Sequence, residues 1–199
     1  MTRNKGKAVP NKHGVVLMVG DGESEGAYFD RLSYLCKSAG IRTWSMGKNG
    51  PNVIIRKVSE YAKREGVDPR KGDLVAIVMD LDGRFTLDEV VRMDAECKKR
   101  GYSLFLSNPS FEVWLLSHYQ LPSHPYTPAE LVDDMKHKLG GRYDKARGFD
   151  FDDAMVDKAV KNSRKLLPDD ECTVEGCYKH NPSTMVHTLV ETIRKRMSR

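Results

Sequence analysis

The chain has 199 residues, 39% of them hydrophobic, enough to bury one core without disulfides or a structural metal. No apolar run approaches the roughly 18 residues that span a bilayer, and MTRNKGKAVP lacks the apolar segment of a secretory signal, so no membrane partner and a cytoplasmic location are expected. Four scattered cysteines exclude a disulfide framework, and the net charge of +5 points toward anionic partners.

The positive charge gathers at the ends. Arg3, Lys5, Lys7 and Lys12, with no acid before Asp21, make residues 1–13 a basic flexible arm, and Arg194, Lys195, Arg196 and Arg199 close the chain. Such clusters suit a polyanion, although a basic tail is more often only a solvated end.

VVLMV (15–19) is a short all-apolar run and reads as a central parallel strand covered on both faces. Ala27, Tyr28, Leu32, Leu35, Cys36 and Ala39 recur at helical spacing, with Gly40 as the left-handed stop. IRTWSM (41–46) reads as a second strand. Gly47 to Gly50 is a turn rather than a phosphate cradle, and Pro51 starts a helix with Val53, Ile54, Val58, Tyr61 and Ala62 on one face. LVAIVMD (74–80) is the third strand. Thr86 and Glu89 form a capping box for a helix through Leu87, Val90, Val91, Asp94 and Cys97, and Tyr102 to Leu106 is the fourth strand. Asn108 reads as the cap of a helix begun by Pro109, which buries Phe111, Trp114, Leu115 and Tyr119. Beyond residue 120 the strand signal disappears, and helices are expected at about 128–139, 152–167 and 182–197, the last capped by Asn181.

Four strand-then-helix units imply a parallel sheet of about four strands with helices on both faces. In such a sheet the functional groups lie beyond the carboxyl ends of the strands. Those positions here hold Asp21, Glu23 and Glu25 after the first strand, Asp80 and Asp82 after the third, and Asn108 and Glu112 after the fourth. Gathered carboxylates repel one another unless protonated or bridged by a cation, and hard oxygen ligands suit Mg2+ or Mn2+. The plainer reading of Asp80 and Asp82 is turn chemistry. Glu112 reads as a first-turn acid or as a group behind a metal. The spacing of Cys172, Cys177, His180 and His187 fits no standard zinc site, and His118 and His124 read as carbonyl caps or surface groups.

The succession Asp21-Gly22-Glu23-Ser24-Glu25 and Asp80-Leu81-Asp82, each after an apolar strand, resembles the Toprim fold of type II topoisomerases, primases and several nucleases. More narrowly, GDGESEGAYF, VMDLDG, SNPSFEVWLLSH and NPSTMVHTLV together resemble RloB-like proteins of bacterial and archaeal defence loci, over about Val15 to Ile193. The resemblance implies a Toprim-like core at 14–120 with a helical extension at 121–199. It also implies a magnesium-dependent nuclease of antiviral defence, cleaving RNA such as tRNA, or DNA. Asp80 and Asp82 would then be metal ligands and Asp21 and Glu25 catalytic acids, with Asp21 standing where the family usually has Glu; Lys48, Arg84 and Asn108 would contact the substrate, with Glu23 and Glu112 as accessory acids. The alternative is a non-catalytic effector that binds nucleotide or nucleic acid and acts with an ATPase partner. Homo-oligomerisation is open.

Overall fold

The computed structural model describes residues 16–20, 22–36, 40–47 and 49–197. The basic arm, Asp21 and Lys48 lie outside these residues. Strands β1 (Val16–Gly20), β2 (Ile41–Ser45), β3 (Leu74–Asp80) and β4 (Tyr102–Asn108) alternate with helices α1 (Glu23–Leu35), α2 (Pro51–Glu65) and α3 (Leu87–Lys99). Helices α4 (Glu112–Ser117), α5 (Pro128–Lys138), α6 (Asp153–Leu166) and α7 (Val174–Lys179) follow, then β5 (Ser183–Thr184) and α8 (Val186–Met197). Among the described residues no helix is long and apolar enough to cross a membrane.

The sheet order is β2-β1-β3-β4-β5. The first four strands are parallel, as the alternating pattern predicts, but β5 runs antiparallel to β4 and makes the sheet mixed. Two polar residues carry no periodicity that a sequence can display. The pairing is held instead by the Ser107 and Thr184 hydroxyls, 2.8 Å apart, and by the Met185 N–H on the Leu106 carbonyl.

The six apolar residues of β3 are buried on both sides, and the pleat divides them. Ala76 and Val78 face Tyr28, Phe29 and Leu32 of α1 together with Trp114, Leu131, Val156 and Leu189 from the later helices. Val75, Ile77 and Met79 face Ile54 and Val58 of α2, Val90 and Cys97 of α3, and Cys177 of α7. Each such buried aliphatic side chain contributes on the order of 2 kcal/mol, so this strand anchors both layers.

Several boundaries differ from the sequence reading. α1 starts at Glu23, before its apolar face begins, because an extended Gly22 opens the helix and Glu23 and Glu25 suit its positive end; it ends at Leu35, short of Gly40. α4 starts after Phe111, not at Pro109, and Asn108 does not cap it. The Asn108 carboxamide instead donates to the Cys177 and Tyr178 carbonyls at 3.2 and 3.1 Å, tying β4 to α7. Asn181 is likewise no cap: it pairs with both backbone groups of Tyr126, and α8 begins only at Val186. The capping boxes at Thr86 and Thr127 are both formed.

Candidate functional site

From β1 the chain passes through α1 to β2 on one side, then returns across the sheet to β3 on the other. The order reverses between β1 and β3, and a crevice opens beyond their carboxyl ends, as such a switch point requires. It encloses about 210 Å³, with Glu23, Glu25, Asp80, Asp82, Arg84 and Glu112 among its walls.

Glu25 is supplied by the first turn of α1 and folds back over the end of β1. A Cβ on Gly20 would lie 2.8 Å from the Glu25 Cβ, and one on Gly22 would lie 2.9 Å from its Oε2. The two glycines are therefore the cradle of this side chain. Glu25 is 3% exposed, and its Oε1 has no hydrogen-bond partner among the described residues. Burial pushes its carboxyl up to about 7; the Glu112 charge adds to this, while the amides of Glu25 and Gly22 and the Lys145 ammonium pull the other way.

Asp80 ends β3, and its Oδ1 accepts the Phe111 N–H at 2.7 Å. Burial, then the charges of Glu25 and Glu112, push its carboxyl well above the usual range. Asp82 occupies a turn closed by the Arg84 N–H on the Leu81 carbonyl, with positive φ at both Asp82 (43°) and Gly83 (64°). Asp tolerates that conformation better than most residues, so turn chemistry accounts for part of this position. The Arg84 guanidinium donates to the Asp80 carbonyl at 3.3 Å and lies over the Phe85 ring, and burial lowers its pKa.

Glu112 is neither a surface acid nor an exposed first-turn group, being 1% exposed. Its Oε1 accepts from Lys145 Nζ at 2.8 Å, the Tyr143 hydroxyl at 3.1 Å and the Ser24 hydroxyl at 3.2 Å; its Oε2 accepts from the Ser110 hydroxyl at 2.7 Å. Burial raises this carboxyl, but the Lys145 contact and the Ser110 hydrogen bond outweigh it and hold Glu112 below its ordinary range. Burial pulls the Lys145 ammonium down, and the same contact more than compensates. Among the crevice carboxylates, Glu112 thus stays charged while Glu25 and Asp80 resist ionisation.

The expected acids Glu23, Glu25, Asp80, Asp82 and Glu112 and the expected cation Arg84 meet in this crevice, while Asn108 is held elsewhere by α7. Tyr143 and Lys145 escaped sequence reading, since they lie in the loop after α5, with no motif around them. Ser24 and Ser110 lie in GDGESEGAYF and SNPSFEVWLLSH, where nothing separates them from ordinary helix-start serines. Among the described residues no three His, Cys, Asp or Glu side chains are gathered to hold a metal ion as they stand. The donor chemistry nonetheless suits a hard cation. Glu25 Oε1 is an unpartnered oxygen, and ionising Glu25 beside Asp80 calls for positive charge.

The remaining polar candidates are used structurally. Cys177 Sγ contacts the Leu106 carbonyl, His187 Nδ1 the Thr184 carbonyl, and His180 pairs with Glu171. His118 Nδ1 meets the Trp114 and Leu115 carbonyls and its Nε2 the Tyr28 hydroxyl; its burial pushes its pKa down to about 4. His124 stacks on Tyr126.

A family model described as RloB-like protein matches residues 16–193, nearly the whole chain. No curated protein and no solved structure gives a significant match.

Proposed function

The chain belongs to the RloB-like protein family, and from that premise we propose that it is a metal-assisted phosphodiesterase, a nuclease with a Toprim-like site acting in prokaryotic antiviral defence. The observation that supports this most is the pair Glu25 and Asp80 at the switch point, the first buried and the second half-buried, both pushed toward protonation.

A carboxyl with a pKa of about 7 is suited to take and return a proton at neutral pH. Glu25, with Oε1 facing no partner among the described residues, is the group we assign to the attacking water. Asp80 and Asp82 would hold Mg2+ or Mn2+, with water and phosphate oxygens completing the shell, since magnesium is commonly bound by one or two carboxylates. Such an ion supplies positive charge at the phosphate oxygens. Lys145 and Arg84, both in the crevice wall, orient the substrate phosphate. Glu112, kept ionised by its four partners, fixes Lys145 in place. Asp21, between the two cradle glycines in sequence, is assigned as a further ligand or proton carrier on the family resemblance.

A second reading has one observation in its favour. The Lys145 ammonium already stands among the carboxylates where a cation is wanted. A crevice neutralised in that way would serve a non-catalytic effector that binds nucleotide or nucleic acid beside an ATPase. Incubation of the purified protein with tRNA, single-stranded DNA and duplex DNA, in Mg2+, Mn2+ or chelator, separates the two. Cleavage lost with chelator and in Asp80→Asn/Asp82→Asn, with the fold intact, is the expected result. Full cleavage by the double variant would overturn the nuclease assignment.

A further inference from the structure

We propose that the groove at the amino edge of the sheet, opposite the carboxylate crevice, is a second site that binds the phosphate backbone of nucleic acid. The groove encloses about 1030 Å³ where β3 and β4 begin. Lys63, Arg70, Lys71, Lys99, Arg100 and Arg196 line it, against only Asp68 and Asp73. The six strand steps from Leu74 to Asp80 put it about 20 Å from the crevice, so it is not a lobe of that site.

What the cations are doing decides how much of the charge is on offer. Arg70 is engaged by Asp68 of its own turn, and both Arg100 and Lys99 by Glu96 of α3. Lys63, Lys71 and Arg196 pair with no carboxylate among the described residues; Arg196 reaches only the Gly72 carbonyl, at 2.7 Å. A second hollow of about 620 Å³ shares Ser59, Lys99 and Arg100 with the first and carries the groove between α2 and α3, where Glu60 and Glu96 stand beside Arg56 and Arg92 and the positive excess is smaller. The lining includes Gly66, where an added Cβ would meet nothing within 4 Å.

This character selects the partner. A protein partner is gripped chiefly by buried aromatic and apolar anchors, whereas the apolar lining here is Ala62, Val67, Leu74, Pro69 and Tyr102, and of these Ala62, Val67 and Leu74 belong to the core. Nucleic-acid interfaces are polar, wet and strongly positive. A groove open to solvent and positive in excess matches the second description. The inference rests on the groove's own charge; only a link from binding here to cleavage in the crevice rests on the proposed function.

The test is fluorescence anisotropy of a labelled 20-nucleotide single-stranded RNA across a salt series in EDTA, so that binding is read without cleavage. Lys63→Gln/Lys71→Gln is compared with Lys161→Gln/Lys165→Gln, an equal loss of charge at exposed positions on α6, which does not line the groove. The groove pair should weaken binding roughly tenfold at 0.15 M salt and lower the log–log salt slope by about 1.4, two single-strand phosphate contacts. The α6 pair should keep the wild-type slope. Equal losses in the two lysine pairs, or no loss in the groove pair, would overturn the proposal. Retained binding with no cleavage under Mg2+ would instead count against the nuclease reading alone.

Discussion

Replacing Glu25 with Gln keeps the shape of the side chain and removes its charge. In the folded protein burial pushes this carboxyl from 4.5 up to about 7. A carboxyl whose folded pKa is raised holds its proton more tightly when folded, so its contribution to stability is intact below pH 4.5 and is lost as pH rises toward 7. Two and a half pH units at about 1.4 kcal/mol each make a loss of about 3 kcal/mol. The wild type's own pH curve conceals this, because His118 works in reverse over almost the same window: its pKa, pushed down from 6.5 to about 4 by burial, makes the fold gain stability as pH rises. The quantity to measure is therefore the difference between Glu25→Gln and wild type, by urea denaturation in EDTA at pH 5, 6, 7 and 8. The variant should gain on the wild type by about 2 to 3 kcal/mol between pH 5 and pH 8. A difference that stays flat with pH, or grows toward acid, would refute the claim that Glu25 is forced toward its neutral form.

The companion variant His118→Gln should lose ground to wild type as pH rises from 5 to 8, by about 2 kcal/mol, in the same titration. Gly20→Ala sets a Cβ 2.8 Å from the Glu25 Cβ and should cost about 1 to 3 kcal/mol; in a double-mutant cycle with Glu25→Gly, which removes the facing Cβ, most of that cost should disappear. Lys145→Gln leaves Glu112 to Ser24, Ser110 and Tyr143 alone. Allowing for a lysine side chain that is 49% exposed, about 1 to 2 kcal/mol should be lost at pH 8 and less at pH 5, where Glu112 can take up a proton.

Local chemistry made much of this fold readable from the chain. The unbroken run Leu74 to Met79 can only be a strand covered on both faces, and it is. Thr86 with Glu89 and Thr127 with Glu130 announce helix starts because a capping box satisfies amides within four residues. The strand-terminal acids could be placed at one edge because parallel strands put all their carboxyl ends on the same side. Tertiary structure decided everything that depends on contacts far apart in sequence. β5 exists only because Ser107 and Thr184 meet across 77 positions, and Asn108 was drawn from the helix it could have capped by carbonyls about 70 residues away. Glu112 looked like any acid at a helix start; Tyr143 and Lys145, more than 30 residues on, bring it partners that hold its carboxyl below the ordinary range although it is buried. A carboxylate's charge state is set by its surroundings in space, so the residue types at the site could be read from the chain, whereas which of them hold a proton could not.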